Sequence, residues 1–226
     1  ADHIGANVVG MDFIQLLPGA ASNGRFIGMV SPVESVIFVN KNGNRFVAED
    51  QRRDVVADAI LASPNKIVFG IRDANGYNAM KPGARKAFDG AFKTGDAEKA
   101  DTLDELAVKL QIPAENLKRA VAEYNKAVET KKDPLGRAPS MLVNKIAKAP
   151  FYAGQVTMKR HHTMGGVVID TQARVIDRDG KIIPGLWAAG EITGVVHGTN
   201  RVGGNAMADI FTYGRVASQS AAKAAL

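Results

Sequence analysis

The pattern of apolar and polar positions changes character twice along this chain. Residues 7–17 read as a strand with mixed apolar faces, and 18–25, rich in Gly, Ala, Ser and Asn, read as a loop. Val36-Ile37-Phe38-Val39 and Arg45-Phe46-Val47 flank Lys41-Asn42-Gly43-Asn44. An Asn-Gly between two apolar runs predicts a β-hairpin, because both residues tolerate the left-handed backbone of a tight turn. Apolar residues at 55, 56, 59, 60 and 61 predict a helix over 52–62, ended by Ser63-Pro64. Residues 67–71 read as a buried strand.

Residues 81–130 are polar and helix-rich. Thr102-Leu103-Asp104-Glu105 is a capping box, and Pro113 stands where a helix over 114–130 begins. A charged connector with Pro and Gly follows at 131–140. From 151 onward short β-rich runs (155–159, 167–170, 174–177) alternate with turns, Asp177-Arg178-Asp179-Gly180 among them. Residues 186–191 read as a buried strand ending at Gly190 and Glu191. Gly203-Gly204-Asn205-Ala206 then opens a long Ala-rich helix. The expected organisation is a layered α/β domain built from the two ends, 1–24 and 151–226, with an α+β lobe over 25–150 inserted between them.

Composition narrows the function classes. The 226 residues are 46% apolar and 23% charged, as in a globular protein, and no apolar run reaches the length of a membrane-spanning helix. The absence of Cys excludes disulfides, thiolate nucleophiles and Cys-ligated metals within this chain. The first residues do not resemble a signal peptide, and periplasm and cytoplasm both fit. A net charge of +6 is spread along the sequence, and the aromatic residues, 6%, are not interleaved with it. That distribution speaks against nucleic acid and leaves attraction of anionic substrates as the useful reading.

Three of the four His residues are His161, His162 and His197. Adjacent residues of a strand point to opposite faces, so His161 and His162 do not readily share a metal ion, and no metal is expected. The helix start at Gly203-Gly204 offers N–H groups and a positive dipole end to an anion, and Arg201 just before it offers a bidentate fork. Glu191, at a strand end, could accept hydrogen bonds from ribose hydroxyls. Neither GxGxxG nor GxxxxGK[ST] is present, and Gly165-Gly166 opens no helix. Arg53 in Glu49-Asp50-Gln51-Arg52-Arg53-Asp54 is by default an ion-pair partner of Asp54 or Glu49; a functional Arg there would bind or protonate an anion.

Three motifs in order carry a family resemblance. They are His161-His162-Thr163-Met164-Gly165-Gly166-Val167-Val168-Ile169-Asp170, then Gly185-Leu186-Trp187-Ala188-Ala189-Gly190-Glu191-Ile192-Thr193-Gly194, and then His197-Gly198-Thr199-Asn200-Arg201-Val202-Gly203-Gly204-Asn205-Ala206. Together they closely resemble the soluble fumarate reductase (flavocytochrome c) flavoproteins over residues 7–226. The resemblance implies an α/β fold in which an α+β capping (clamp) domain is inserted into the C-terminal part of a split FAD-binding domain. The glycine-rich half of that domain would come first and is not among these residues. It implies non-covalent FAD and reduction of the C=C bond of an unsaturated carboxylate, with hydride from flavin N5 and a proton from Arg53. His161 and Arg201, beside the backbone of Gly204, match the residues that hold one substrate carboxylate. His162 and Glu191 match FAD contacts, and the amides of Ala206 and Met207 would face the flavin ring.

The departures are as informative. The family's fumarate-specific histidine falls on Leu17, and a threonine for the same second carboxylate falls on Gly28. The glutamate and arginine of the proton relay fall on Met29 and Pro32, so Glu49 or Asp50 becomes the alternative proton route. These replacements predict an enoate with one carboxylate, acrylate-like, cinnamate-like or urocanate-like, rather than fumarate. The resemblance leaves the electron donor unknown, a haem or FMN domain outside these residues being one candidate. Two other readings remain: a related flavin dehydrogenase acting on a ketosteroid-like ring, and a cap-bearing fragment inactive without its N-terminal half.

Overall fold

The computed structural model describes residues 1–28 and 31–225, so Met29 lies outside the described residues. In chain order the elements are β1 (Val8–Val9), β2 (Ile14–Ala20), β3 (Ile37–Asn40), α1 (Arg53–Ala62), β4 (Val68–Arg72), α2 (Ala74–Asn78), α3 (Pro82–Phe92), β5 (Ala97–Ala100), α4 (Leu103–Leu110), α5 (Ala114–Thr130), β6 (Phe151–Thr163), β7 (Gly166–Val167), β8 (Arg174–Ile176), β9 (Ile182–Trp187) and α6 (Asn205–Ala224). The fold is mixed α/β with antiparallel strand pairing in the ladders of known register. It divides into two compact units: Ala1–Leu16 with Arg160–Leu226, and Leu17–Lys159. The boundaries fall at 16/17 and 159/160 rather than 24/25 and 150/151. The reason is β6, whose residues 151–156 pair with β4 and β5 and so belong with the middle of the chain.

In the middle unit the sheet order is β2–β6–β4–β3, with β5 also on β6. Alternation along the strands splits two cores. Ile37, Val39, Phe69 and Ile71 pack with Leu106, Leu110, Leu117 and Tyr124 of α4 and α5, while Phe38 and Val68 pack with Ile60 of α1 and Phe88 of α3. Helix α5 buries Leu117, Ala120, Val121, Tyr124, Ala127 and Val128, the 3–4 spacing of a one-sided helix. Thr102 caps α4 by accepting from the Glu105 amide, and Pro113 stands before α5.

One charged cluster is buried in this unit. Glu49 accepts from the Phe38 amide at 2.9 Å, from Arg45 at 3.0 and 2.8 Å, and from Arg137 at 3.2 Å. Arg45 also forks onto Asp133 at 3.0 and 2.9 Å. The two guanidiniums lie 5.2 and 5.1 Å from the centre of the Tyr124 ring.

Several expectations change. The strand over 7–17 breaks at Gly10, whose φ of +61° makes a turn closed by the Phe13 amide on the Gly10 carbonyl. Strand β2 instead runs on through Pro18 and Gly19, tolerated because β2 is at the sheet edge. The Asn42-Gly43 turn forms, but Arg45 makes a lone bridge to Val39. The second arm is no strand because Phe46 and Val47 turn into the core and β3 pairs with β4. Strand β5 and helix α2 carry no strong sequence signal. Strand β9 is exposed or half-buried rather than buried, since it pairs only with β8.

The other unit has a small core of Ala6, Val167, Ile169, Ala173 and Val175 under Tyr213, Val216 and Ala217 of α6. Its tightest feature is backbone against backbone. A Cβ on Gly165 would meet the Gly10 carbonyl oxygen at 2.1 Å, and one on Gly166 would meet the Ile192 carbonyl oxygen at 1.9 Å. From the other side, a Cβ on Gly194 would lie 2.4 Å from the Gly166 oxygen. The Gly165-Gly166 pair therefore serves close chain crossing.

Two stability outcomes follow. Gly166→Ala lowers unfolding stability by about 3 kcal/mol, because both clashing groups are backbone. Gly90→Ala in α3, with nothing within 4 Å of the new Cβ, raises it by about 0.5–1 kcal/mol; urea unfolding of both variants measures the contrast. At Asp133 burial raises the carboxyl pKa, but hydrogen bonds and charge from Arg45 outweigh it and hold it below the usual aspartate range. Its stabilisation is thus complete above the ordinary aspartate pKa and is lost as pH falls through the depressed value. Unfolding curves of wild type and Asp133→Asn should differ at pH 7 and converge in strong acid.

Candidate functional site

The strand end at β6 sets the first two residues. Alternation exposes His161 and buries His162, so the adjacent pair occupies opposite faces. Among the described residues no group of His, Asp and Glu could hold a metal. The His162 ring meets the His197 ring edge to face, with centroids 5.4 Å apart, and its Nε2 lies 4.0 Å from a Glu191 oxygen. Burial lowers the His162 pKa, and the charge of Glu191 pulls against it. The ring is therefore neutral at pH 7. Its Nδ1 is buried and has no hydrogen-bond partner among the described residues.

Glu191 stands in a single 3₁₀ turn, Gly190–Ile192, after β9. One of its oxygens accepts from the Thr163 amide at 2.9 Å and the Thr163 hydroxyl at 3.2 Å. Its carboxyl is held below the usual range, first by the Thr163 amide. The side chain is half exposed, so its second oxygen remains open to an outside donor.

Arg201 is buried, 6% exposed. Gln15 grips it from β2: Oε1 accepts from Arg201 Nη2 at 2.9 Å, while Nε2 donates to the Arg201 carbonyl at 2.6 Å and to Asn200 Oδ1 at 3.1 Å. A second terminal nitrogen donates to the Val202 carbonyl at 3.1 Å, and Nε is buried without a partner. No carboxylate of the described residues pairs with this guanidinium. A buried cation without a counter-ion is costly, and an anionic ligand offsets that cost.

The start of α6 follows directly. Gly204 takes the N-cap position with φ of +90°, and no side chain caps the helix. The end of a 20-residue helix is thus open to an anion or dipole. The Met207 amide donates to the Gly204 carbonyl at 2.9 Å, so it is engaged in the first turn, and Ala206 sits half-buried beside it.

Two residues of this cluster escape sequence reasoning. Gln15 is a polar residue on the buried phase of Phe13-Ile14-Gln15-Leu16-Leu17, and that interruption is the available signal. Asp209 is the buried residue of α6 and binds His197, Oδ2 to Nε2, at 3.1 Å. The sequence shows His197 as a histidine near others but gives it no role.

In the middle unit Arg53 is the first residue of α1 and is exposed. Its default ion pairs are taken by neighbours: Arg52 pairs with Asp54, and Glu49 with Arg45 and Arg137. Arg53 itself has no ion pair among the described residues. Leu17 and Pro32 are half-buried. Gly28 has φ of +67°, and a Cβ there would lie 2.6 Å from the Ala84 carbonyl oxygen.

Comparison with known proteins places these features in a family. A family described as FAD binding domain matches residues 2–207. An NADH:acrylate oxidoreductase of Vibrio harveyi is 44% identical over 96% of this chain and 22% of its own length. A probable fumarate reductase of Shewanella frigidimarina is 40% identical over 100% of this chain and 38% of its own. The chain thus spans well under half of either relative. Among solved structures, the open conformation of a flavocytochrome c3 fumarate reductase superposes with a TM-score of 0.80 at 39% identity, covering 100% of this chain and 39% of that one. Motifs, fold and relatives agree: this chain belongs to the FAD-binding, soluble fumarate reductase family of flavoproteins.

Proposed function

We propose that these residues form the C-terminal part of an FAD-dependent reductase that saturates the C=C bond of an enoate carrying a single carboxylate. The observation that carries this reading is Arg201, a buried guanidinium fixed by Gln15 and lacking any carboxylate partner among the described residues. A neutral ketosteroid-like ring would leave that charge uncompensated, which disfavours the dehydrogenase alternative.

In this reading the middle unit, Leu17–Lys159, acts as the capping domain expected over 25–150, and the unit of Ala1–Leu16 with Arg160–Leu226 as the FAD-binding part expected over 1–24 and 151–226. His161 and Arg201, with the Gly204 backbone, hold the substrate carboxylate. The His162 Nδ1, the second oxygen of Glu191 and the uncapped start of α6 at Ala206, with Met207 beside it, suit a nucleotide cofactor that needs both donors and acceptors. FAD, when bound, supplies the hydride. Arg53, unpaired and exposed at a helix start, gives the proton to the neighbouring carbon. The fixed charge of Arg201 stabilises the negative charge that grows toward the carboxylate as the alkene is reduced. The electrons come from a donor outside these residues, a haem- or FMN-carrying domain being one candidate.

In this reading the positions expected to meet a second carboxylate are Leu17 and Gly28. Leu17 cannot hydrogen-bond through its side chain, and Gly28 has no space for one. The acrylate oxidoreductase relative supports the same choice. Of the two carboxylates considered for proton supply, Glu49 is consumed by four hydrogen bonds. Asp50 accepts one, from the Ala138 amide at 2.8 Å, and its other oxygen is buried without a partner. Of the two, the free oxygen of Asp50 favours it over Glu49 as the proton route in this reading.

Reoxidation of a reduced viologen by the longer FAD-loaded protein tests the substrate. Acrylate-like acids should exceed fumarate at least about tenfold in kcat/KM, since an unpaired buried carboxylate costs more than about 1.4 kcal/mol. Equal or better turnover of fumarate defeats the single-carboxylate reading. Gln15→Leu frees the Arg201 fork and should lower kcat/KM by about 10- to 100-fold with FAD retained. An unchanged value removes Gln15 from the site.

A further inference from the structure

Between the 3₁₀ turn at Gly190–Ile192 and α6 the chain crosses 193–204 without regular structure, yet this stretch carries Arg201. Its start is tied by the Gly194 amide on the Val167 carbonyl at 3.0 Å, and its end by Gln15. The middle is tied by His197, whose Nε2 lies 3.1 Å from Asp209 Oδ2 on the second turn of α6. This is no surface bridge: the His197 and Asp209 side chains are 7% and 2% exposed. Asp209 has no other hydrogen-bond partner among the described residues, and its Oδ1 is unpartnered. A carboxylate buried at that cost requires its one donor. The hydrogen bond between ring nitrogen and carboxylate oxygen fixes the plane of His197.

The fixed ring in turn abuts another. His197 meets His162 edge to face at 80° between planes, and His162 feels the charges of Glu191, Arg201, His197 and Asp209 together. A line of rigid contacts therefore runs from α6 through Asp209 and His197 to His162 and, along the loop, to Arg201.

Resting on the reading of Arg201 as the carboxylate anchor, we propose that Asp209 and His197 are a positioning pair for substrate binding, the second clamp on the loop that carries Arg201. They need not touch the substrate; they hold the anchor and the His162 ring where one carboxylate fits between fixed donors. Loosening the pair spreads the orientations of Arg201 and weakens binding more than it slows the chemical step.

The test uses the full-length, FAD-loaded protein with acrylate as probe. Binding is read without turnover from the change in absorption of the oxidised flavin, and KM and kcat from viologen oxidation. Asp209→Asn should raise both Kd and KM about tenfold, with kcat changed less than about threefold, and FAD retained. Asp209→Glu should recover part of the loss. Asp209→Asn combined with His197→Gln should be no worse than either alone, because both break one contact. Unchanged Kd and KM in Asp209→Asn, additive losses in the double variant, or loss of FAD from both single variants each overturn the pair as a substrate-positioning device. Wild type that binds no enoate at all overturns the functional reading and this inference with it. Wild type that binds acrylate no better than Asp209→Asn does overturns the inference alone.

Discussion

Three glycines let the unit formed by the two chain ends exist in its present form. At Gly165, Gly166 and Gly194 main chain crosses main chain so closely that a single methyl group would fall inside a carbonyl oxygen. Strand β7 is only two residues long, too short to be stable by its own ladder, and it is held by these crossings and by the pairing with β1. The consequences run directly into the site. The crossing at Gly166 and Gly194 fixes the strand end with His162 against the turn with Glu191, and starts the loop that ends in Arg201. These side chains are thus positioned by backbone contact, with little help from a small core of five buried hydrophobic residues among those described.

The buried arginines Arg45 and Arg137 on one side and Arg201 on the other are held in opposite ways. In the middle unit Arg45 and Arg137 are neutralised by Glu49 and Asp133, and each also lies over the Tyr124 ring. Every charge there is answered within the chain, as a structural network must be. Among the described residues Arg201 is answered by neutral groups, the Gln15 amide and the Val202 carbonyl. Such an arrangement orients a guanidinium without cancelling its field. It is the arrangement an anion site needs, because the charge is kept for the ligand.

The C-terminal motifs make the family legible, and strong local signals make many elements legible. The helix with apolar residues at 55, 56, 59, 60 and 61, the capping box at Thr102 and the Pro113 helix start all form as read. What escapes the sequence depends on partners far away along the chain. Phe46 and Val47 look like half of a hairpin, yet the core takes them and leaves Arg45 to an ion-pair cluster reaching Asp133, 88 positions on. Gln15 and Arg201 are separated by 186 positions, and no periodicity announces such a contact. Pro18 looks like a loop former because its edge position is not visible before the sheet order is known. The default pairing of Arg53 with Asp54 fails by one residue, since Arg52 takes the carboxylate instead.

Substrate choice in the proposed reading is made by subtraction. On that reading an anchor cation is kept while Leu17 and Gly28 stand where a second carboxylate would need polar partners, and those residues alone add no affinity for an apolar tail. The means to desolvate a second carboxylate is then lost, and that loss outweighs any apolar gain. Stripping water from an ion without a partner costs several kcal/mol, whereas burying one more methylene returns about 0.8 kcal/mol. The position at Gly28 makes the loss hard to reverse. Its left-handed backbone and the Ala84 carbonyl oxygen 2.6 Å from any Cβ leave no room for a threonine. A histidine placed at Leu17 alone would therefore supply one donor where, on the proposed reading, a second carboxylate needs about two or three.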